Sequence, residues 1–298
     1  MSACRVMAQA KVNLSLRILA REASGFHQIE TVFQRLALAD VVTVRETDGR
    51  SLDVTFADGA RTADLGPVEQ NLAWRAAEAY AAVAGWPRGF GIEIEKQIPV
   101  GGGLGGGSAD AAAVLRALDA LAVRTLGHDA LVDIAARLGA DVAFLASPSE
   151  LALAWGRGER LLDLPPLPEA RVLLVVPDFG VNTAQAYGAL AAHRAATGAT
   201  AGAAWRSPRT LGSWRAVAAD AVNDFEAVIF AQHPQLAVVQ TQLASLPHVA
   251  LARMSGSGST LFAVCPGTPT DAGALALPAR WSALDTATAP AALVVTDA

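Results

Sequence analysis

The chain has 298 residues, 52% of them hydrophobic, and a formal net charge of −5. Its apolar runs stay below the roughly 18 residues of a membrane-spanning helix, and an acidic balance without a basic stripe argues against nucleic acid as a partner. The two cysteines and five histidines show no redox or metal-ligand spacing, and too few residues precede the first motif for a signal peptide. We therefore expect a cytoplasmic protein with no membrane partner and no protein-held metal site.

Alternating and helical patterns predict the elements of the first half of the chain. In chain order we expect strands at Ala8–Ala20, at Gln28–Arg45 with Asp40 in a turn, and at Ser51–Phe56, a helix at Asn71–Ala84, a strand at Ile92–Ile98, and helices at Ser108–Leu121 and Asp129–Leu138. Asn71 is a typical N-cap residue, and Gly85 and Gly139 are typical of helix ends.

The run Pro165-Pro166-Leu167-Pro168 interrupts this alternation and predicts a domain boundary, with domains at 1–164 and 165–298. For the second half we expect a strand at Arg171–Val176, a helix at Thr183–Arg194, a flexible stretch at 195–204, a helix at Ala218–Phe230 and a strand at Leu261–Val264.

A glycine-rich loop lies between the strand at 92–98 and the helix at 108–121. Six of the seven positions from Gly101 to Gly107 are glycine, a composition that permits very close backbone approach. A loop that runs into a helix start directs free N–H groups at one place, so the segment predicts an anion site suited to a triphosphate; a flexible linker is the alternative. The loop lacks the Gly-Lys-Ser/Thr ending of a P-loop and the later acidic residue of a Rossmann site.

Lysine is rare in this chain, and its two occurrences indicate candidate functional positions. Of 23 basic residues only Lys11 and Lys96 are lysine, which favours positions that need a compact ammonium, although survival at an ordinary surface site is the alternative. Lys11 and Asn13 are alternate residues of one predicted strand and share a face, and Asp141 follows the helix-ending Gly139. Phosphate-binding N–H groups, a cation and a carboxylate are the parts of a phosphoryl-transfer site; a solvent-facing pair and an ordinary turn aspartate are the alternatives.

Three motifs in order resemble the GHMP kinase superfamily: Ala10–Leu14, Pro99–Ala112 and Arg253–Ser259. The resemblance implies an α+β, two-domain GHMP kinase fold. It also implies a ribosomal-S5-like N-terminal domain, a ferredoxin-like C-terminal domain and an active site in the cleft between them. It implies ATP as co-substrate, with Mg²⁺.

Four stretches are similar to one branch of that superfamily: Ala10–Leu14, Gly25–Thr31, Gly103–Asp110 and Leu138–Val142. The similarity implies ATP-dependent phosphorylation of the 2-hydroxyl of 4-diphosphocytidyl-2-C-methyl-D-erythritol, a small-molecule substrate of the non-mevalonate isoprenoid precursor pathway. A kinase of the same superfamily for mevalonate, homoserine or a sugar is the alternative, and a non-catalytic binding protein of the same fold is a further one.

The resemblance also assigns roles. Asp141 would be the general base, and Lys11 would keep it ionised and steady the γ-phosphoryl group. His27 would recognise the cytosine edge, with Phe26 (where the family often has tyrosine) and Tyr187 stacking on the base. The ATP side would comprise Asn71, Leu72, Lys96, Pro99, Gly101, Gly102, Gly103, Leu104, Gly105, Gly106, Gly107 and Ser108. The substrate side would comprise Asn13, Phe26, His27, Asp141, Tyr187, Gly256 and Ser257.

Overall fold

The computed structural model describes residues 2–23, 25–57, 66–200, 211–267, 271–290 and 295–297. Its strands are β1 (Ala3–Arg21), β2 (His27–Glu46), β3 (Arg50–Phe56), β4 (Phe90–Lys96), β5 (Leu151–Gly156), β6 (Arg160–Asp163), β7 (Ala170–Val176), β8 (Leu251–Met254), β9 (Leu261–Pro266), β10 (Ser282–Ala287) and β11 (Val295–Asp297). Its α-helices are α1 (Leu72–Ala84), α2 (Gly106–Leu121), α3 (His128–Leu138), α4 (Ala140–Ala146), α5 (Thr183–Thr197), α6 (Trp214–Asp220), α7 (Glu226–Gln232) and α8 (Pro234–Ser245).

The first sheet is built on two long strands, β1 and β2, which pair antiparallel along most of their length. The strand order is β11-β1-β2-β4-β3, with β5 paired to β2 and β6 paired to β5. On β1 the apolar residues Val12 and Leu14 are fully buried in the core of this sheet, where α2 packs against β1, α1 and α4. Since side chains alternate across a strand, Lys11 and Asn13 lie on the opposite face of β1.

The second sheet has four antiparallel strands in the order β10-β7-β9-β8. Its apolar face, which includes Leu173 and Val175, packs with Leu190 of α5, Ile229 of α7 and Leu236 of α8. The last strand, β11, returns to the first sheet and pairs with β1. The division of the chain at residues 164 and 165 stays a prediction.

The two sheets meet where β1 passes the segment between α6 and α7. The backbone N–H of Leu16 donates to the Val222 carbonyl at 2.7 Å, and the N–H of Asp224 donates to the Leu16 carbonyl at 3.0 Å. Leu16 and Ile18 of β1 thus pack with the helices of the second sheet, which positions Lys11 and Asn13 near the junction. Among the described residues, no helix is long and apolar enough to cross a membrane.

Several local expectations are confirmed. Asn71 caps α1, because its side chain accepts a hydrogen bond from the N–H of Ala73 at 2.9 Å, and Gly85 ends that helix in the left-handed conformation. Gly139 lies at the end of α3. The helix predicted from Ser108 begins two residues earlier, at Gly106.

Two expectations are wrong. Asp40 is not in a turn: it lies inside β2, paired with Ala8 and fully buried. The helix expected at Ala218–Phe230 is two helices, α6 and α7, because the backbone between them bonds to β1 instead of continuing the helix.

The stretch at 195–204, expected to be flexible, lies partly in a helix. α5 extends to Thr197 and ends at Gly198, whose φ is 70°. Residues 201–204 of that expectation lie outside the described residues.

Candidate active site

The glycine-rich loop ends directly in helix α2. Gly105 is the N-cap residue with φ 74°, and the first helical hydrogen bond runs from the N–H of Ala109 to the Gly105 carbonyl at 2.8 Å. The N–H groups of Gly106, Gly107 and Ser108 therefore precede the helical bonding pattern, at the positive end of the helix dipole. This arrangement favours a bound anion.

Gly103 and Gly105 pack too closely against their neighbours to carry side chains. A Cβ on Gly103 would collide with the Ser255 carbonyl oxygen, and a Cβ on Gly105 would lie 3.0 Å from Lys11 Cγ. The Gly103 carbonyl accepts hydrogen bonds from Lys11 Nζ at 3.0 Å and from Ser255 Oγ at 2.8 Å. The loop is thus fixed between β1 and the turn that follows β8.

A cavity of about 260 Å³ opens on this loop. It gathers all twelve residues that the sequence assigned to the ATP side, namely Asn71, Leu72, Lys96, Pro99, Gly101, Gly102, Gly103, Leu104, Gly105, Gly106, Gly107 and Ser108, and adds Val54, Ile94, Val100 and Asp110. Away from the loop, the apolar side chains of Val54, Leu72 and Ile94 line the cavity beside the polar Asn71, Lys96 and Asp110.

Lys11 and Asp141, predicted from separate segments, form an ion pair with Nζ and Oδ2 3.2 Å apart. Lys11 is 2% exposed, and its ammonium also donates to Asn13 Oδ1 at 2.7 Å. Asp141 stands in the first turn of the short helix α4, and its side chain keeps 32% exposure. A buried ammonium thus joins the Gly103 carbonyl of the loop to a carboxylate that a ligand can reach.

The orientation of Asn13 is fixed by its neighbours. Its Nδ2 donates to Thr31 Oγ1 at 2.8 Å, so its Oδ1 faces Lys11. Gly256 approaches from the second sheet, where a Cβ would lie 3.5 Å from Asn13 Oδ1 and 3.6 Å from Lys11 Nζ. Asn223 Nδ2 holds that turn by donating to the Gly256 carbonyl at 2.8 Å.

A second cavity, of about 440 Å³, contains the three aromatic residues assigned to the base. It is lined by Arg21, Gly25, Phe26, His27, Arg157, Ala184, Tyr187, Gly188 and Ala191. The His27 and Tyr187 rings stack on each other with centroids 4.2 Å apart and an interplanar angle of 14°. Phe26 is exposed, and the Arg157 guanidinium lies 4.1 Å from its ring centroid. The Phe26 face turned away from Arg157 is the one that a base can use.

Charges tune both rings of the stack. Burial lowers the pKa of His27, and the nearby guanidinium groups of Arg21 and Arg194 lower it further, so the imidazole is neutral near pH 7. Burial, followed by the charge of Asp141, raises the pKa of Tyr187 to about 12.

Some contacts were not anticipated. Lys96 lines the loop cavity, yet its ammonium bonds to two buried carboxylates, Asp40 and Asp110. Ser257, assigned to the substrate, shares a hydrogen bond of 2.9 Å with Thr183. Thr31, Ser255 and Asn223 orient the site, and sequence reasoning gave them no role. Thr31 and Ser255 lie inside the recognised motifs, which is the signal that could have found those two.

Two family models match separate parts of the chain. The sequence matches the family GHMP kinases N terminal domain over residues 71–148 and the family GHMP kinases C terminal over residues 203–283. The 4-diphosphocytidyl-2-C-methyl-D-erythritol kinase of Heliobacterium modesticaldum is 39% identical over 272 residues, covering 87% of this chain and 85% of that protein. The protein of the same name from Solibacter usitatus is 38% identical over 261 residues, covering 86% and 79%.

Solved structures of related proteins have the same fold as this chain. A crystal structure of 4-(cytidine 5'-diphospho)-2C-methyl-D-erythritol kinase superposes with a TM-score of 0.75 at 34% identity, covering 96% of this chain and 99% of that one. A homoserine kinase from Cytophaga hutchinsonii superposes with a TM-score of 0.65 at 17% identity, covering 97% and 95%, which shows a shared fold alone. The predicted two-domain α+β architecture is confirmed.

Proposed function

The chain belongs to the GHMP kinase family, and we propose that it transfers the γ-phosphoryl group of ATP to the 2-hydroxyl of 4-diphosphocytidyl-2-C-methyl-D-erythritol. The relatives with 38–39% identity carry the name of that kinase. The observation that carries the proposal is the Lys11–Asp141 ion pair, in which a buried ammonium beside the anion-binding loop meets a carboxylate that keeps 32% exposure. A kinase needs a cation near the transferred phosphoryl group and a base for the acceptor hydroxyl, and this pair offers both groups.

Asp141 is the proposed general base. Its exposed carboxylate takes the proton of the 2-hydroxyl while the new O–P bond forms, and the bond to the leaving ADP oxygen breaks in line. Lys11 holds the carboxylate in place and neutralises charge on the transferred group, and Asn13 directs the Lys11 ammonium through the 2.7 Å hydrogen bond. Positioning and electrostatics supply most of the rate.

The helix start at Gly106–Ser108 is the proposed site of the ATP phosphates, with Pro99 and the other loop residues around them. Asn71, Leu72 and the stem of Lys96 are proposed to lie beside the adenine and ribose.

Among the described residues, no group of three or more His, Cys, Asp or Glu side chains is arranged to hold a metal ion. Mg²⁺ characteristically binds through substrate phosphates, waters and one or two protein oxygens, so the Ser108 hydroxyl at the start of α2 fits a cation that arrives with the nucleotide.

The aromatic cavity is the proposed cytidine site. A neutral His27 offers a hydrogen-bond donor at one ring nitrogen and an acceptor at the other, and either one can pair with a group on the cytosine edge while backbone contacts serve the next. Phe26 supplies a stacking face, Tyr187 supports His27 from the other side, and Arg21 and Arg157 bring positive charge to the region of a diphosphate. We further propose that Gly256 and Ser257 close the methylerythritol side, and that the enzyme works in the cytoplasm, where neither nucleic acid nor membrane is its partner.

A coupled ADP-release assay tests the function. It compares the cytidine-linked substrate with free methylerythritol, mevalonate, phosphomevalonate and homoserine, each with the wild-type chain and with Asp141→Asn. We expect turnover with the cytidine-linked alcohol far above the others and lost in the variant. Preference for mevalonate or homoserine would reassign the substrate, and nucleotide binding without ADP release on any alcohol would indicate a non-catalytic protein.

A further inference from the structure

Both ends of the phosphate-binding loop lie at one buried cluster of charged side chains. Asp40 on β2 is fully buried, Lys96 ends β4, and Asp110 lies in the second turn of α2. Lys96 Nζ donates to Asp40 and, at 2.7 Å, to Asp110 Oδ2. We name these three residues the loop clamp.

Asp40 holds the strand side of the loop. Its Oδ1 accepts hydrogen bonds from the backbone N–H of Gln97 at 2.5 Å and of Ile98 at 2.7 Å. These are the last two residues before Pro99, where the loop turns toward the glycines. One carboxylate thus fixes the direction in which the chain leaves β4.

Asp110 holds the helix side. Because Lys96 bonds to both carboxylates, the first turns of α2 are tied to the end of β4, across the base of the loop. The contact is tight: a Cβ on Gly106 would lie 3.3 Å from Lys96 Nζ and 3.1 Å from Ile98 Cγ2. A compact ammonium fits under this helix start, whereas the larger guanidinium of arginine would displace it, which explains one of the chain's two lysines.

Six glycines in a loop of this length give the free chain a large conformational entropy. Joining the two ends removes much of that freedom before any nucleotide binds. We infer that Asp40, Lys96 and Asp110 are positioning residues that preorganise the phosphate-binding loop, so that Lys96 acts on ATP through the loop as well as by lining its cavity. The inference rests on the proposed function only in naming the nucleotide as the ligand of the loop.

The test separates the two ends of the clamp. Asp110→Ala cuts the tie to α2 but leaves Lys96 paired with Asp40, so the buried charges stay balanced. Asp110→Asn keeps an oxygen that can accept from Lys96 and serves as the conservative rescue. Glu93→Gln, which removes an exposed ion pair with Arg45 on the same strand β4, is the matched control. The readouts are hydrogen exchange of amides 99–107, Kd values for ADP and for cytidine diphosphate, and KM and kcat.

We expect Asp110→Ala to speed loop exchange and weaken ADP binding about tenfold or more. In Asp110→Ala the KM for ATP rises by a factor similar to the loss of ADP affinity. The kcat stays within about threefold of the wild-type value, because Lys11 and Asp141 are unchanged. Asp110→Asn recovers part of the loop protection and ADP affinity that Asp110→Ala loses, Glu93→Gln remains close to wild type, and cytidine diphosphate affinity is unchanged throughout. Unchanged loop exchange in Asp110→Ala, or an equal loss of affinity for both nucleotides, would overturn the inference. Hydrogen exchange judges the clamp whatever alcohol the enzyme phosphorylates, so its failure is distinct from failure of the proposed reaction.

Discussion

Substituting alanine at two glycines of the same loop should change stability in opposite directions. Gly103 has a φ of 78°, and a Cβ there would collide with the Ser255 carbonyl oxygen. Gly107 lies inside α2, where a Cβ would meet nothing within 4 Å. Both positions belong to the glycine run at 101–107 and receive the same substitution. The difference between their changes in stability therefore measures the cost of close approach and of the left-handed conformation at Gly103.

The cost at Gly103 can be estimated from the structure. A left-handed conformation costs an alanine about 1 kcal/mol. The displaced loop also moves the Gly103 carbonyl away from Lys11 Nζ and Ser255 Oγ. This loses one charge-assisted and one neutral hydrogen bond, which together contribute about 2 kcal/mol. The total of about 3 kcal/mol corresponds to a fall in Tm of about 6–12 °C.

At Gly107 the expected change in stability has the opposite sign. Alanine is favoured over glycine inside a helix by about 0.5–1 kcal/mol, so Gly107→Ala should raise Tm by about 2 °C. Differential scanning calorimetry of the nucleotide-free protein makes both measurements. If Gly103→Ala melts within about 2 °C of wild type, or if both variants shift in the same direction, close packing does not fix the loop and the reasoning is wrong.

Three further outcomes are expected. Asp141→Asn should keep ADP affinity, measured by calorimetry, and lose about a hundredfold or more in kcat, because the general base is gone. Lys11→Arg should lose about tenfold or more in kcat despite equal charge, since the buried stem is pressed against Gly105 and a planar fork does not fit there. Burial raises the pKa of Asp110 to about 7 in the folded state, so the folded protein holds a proton that the unfolded chain releases at lower pH. Stability from this group is therefore present at acidic pH and lost as pH rises through about 7, and thermal melts from pH 5 to 8 should show wild type losing Tm relative to Asp110→Asn.

Each outcome can fail on its own. Near-normal turnover in Asp141→Asn would remove that residue from proton transfer, and an active Lys11→Arg enzyme would show that the ammonium's size is irrelevant. Parallel pH profiles for wild type and Asp110→Asn would mean that Asp110 stays ionised across that range.

The sequence by itself determined the local features of this protein. Side-chain alternation put Lys11 and Asn13 on one face of β1, and the glycine run predicted an anion site at the start of α2. Asn71 and Gly85 marked the ends of α1. These features depend on residues a few positions apart, where backbone sterics, capping and periodicity act without the rest of the fold.

Only the tertiary structure decided the rest. Asp40 looked like a turn residue because a buried aspartate is rare, and its partner Lys96 stands 56 positions away. The break between α6 and α7 follows from backbone hydrogen bonds of Val222 and Asp224 to Leu16 on β1, more than 200 positions back along the chain. The contact of Lys11 with Asp141 likewise depends on packing β1 against α4. Charged groups are stable inside a protein only when distant segments supply their partners, so the site's charges could be named from the sequence while their pairing required the fold.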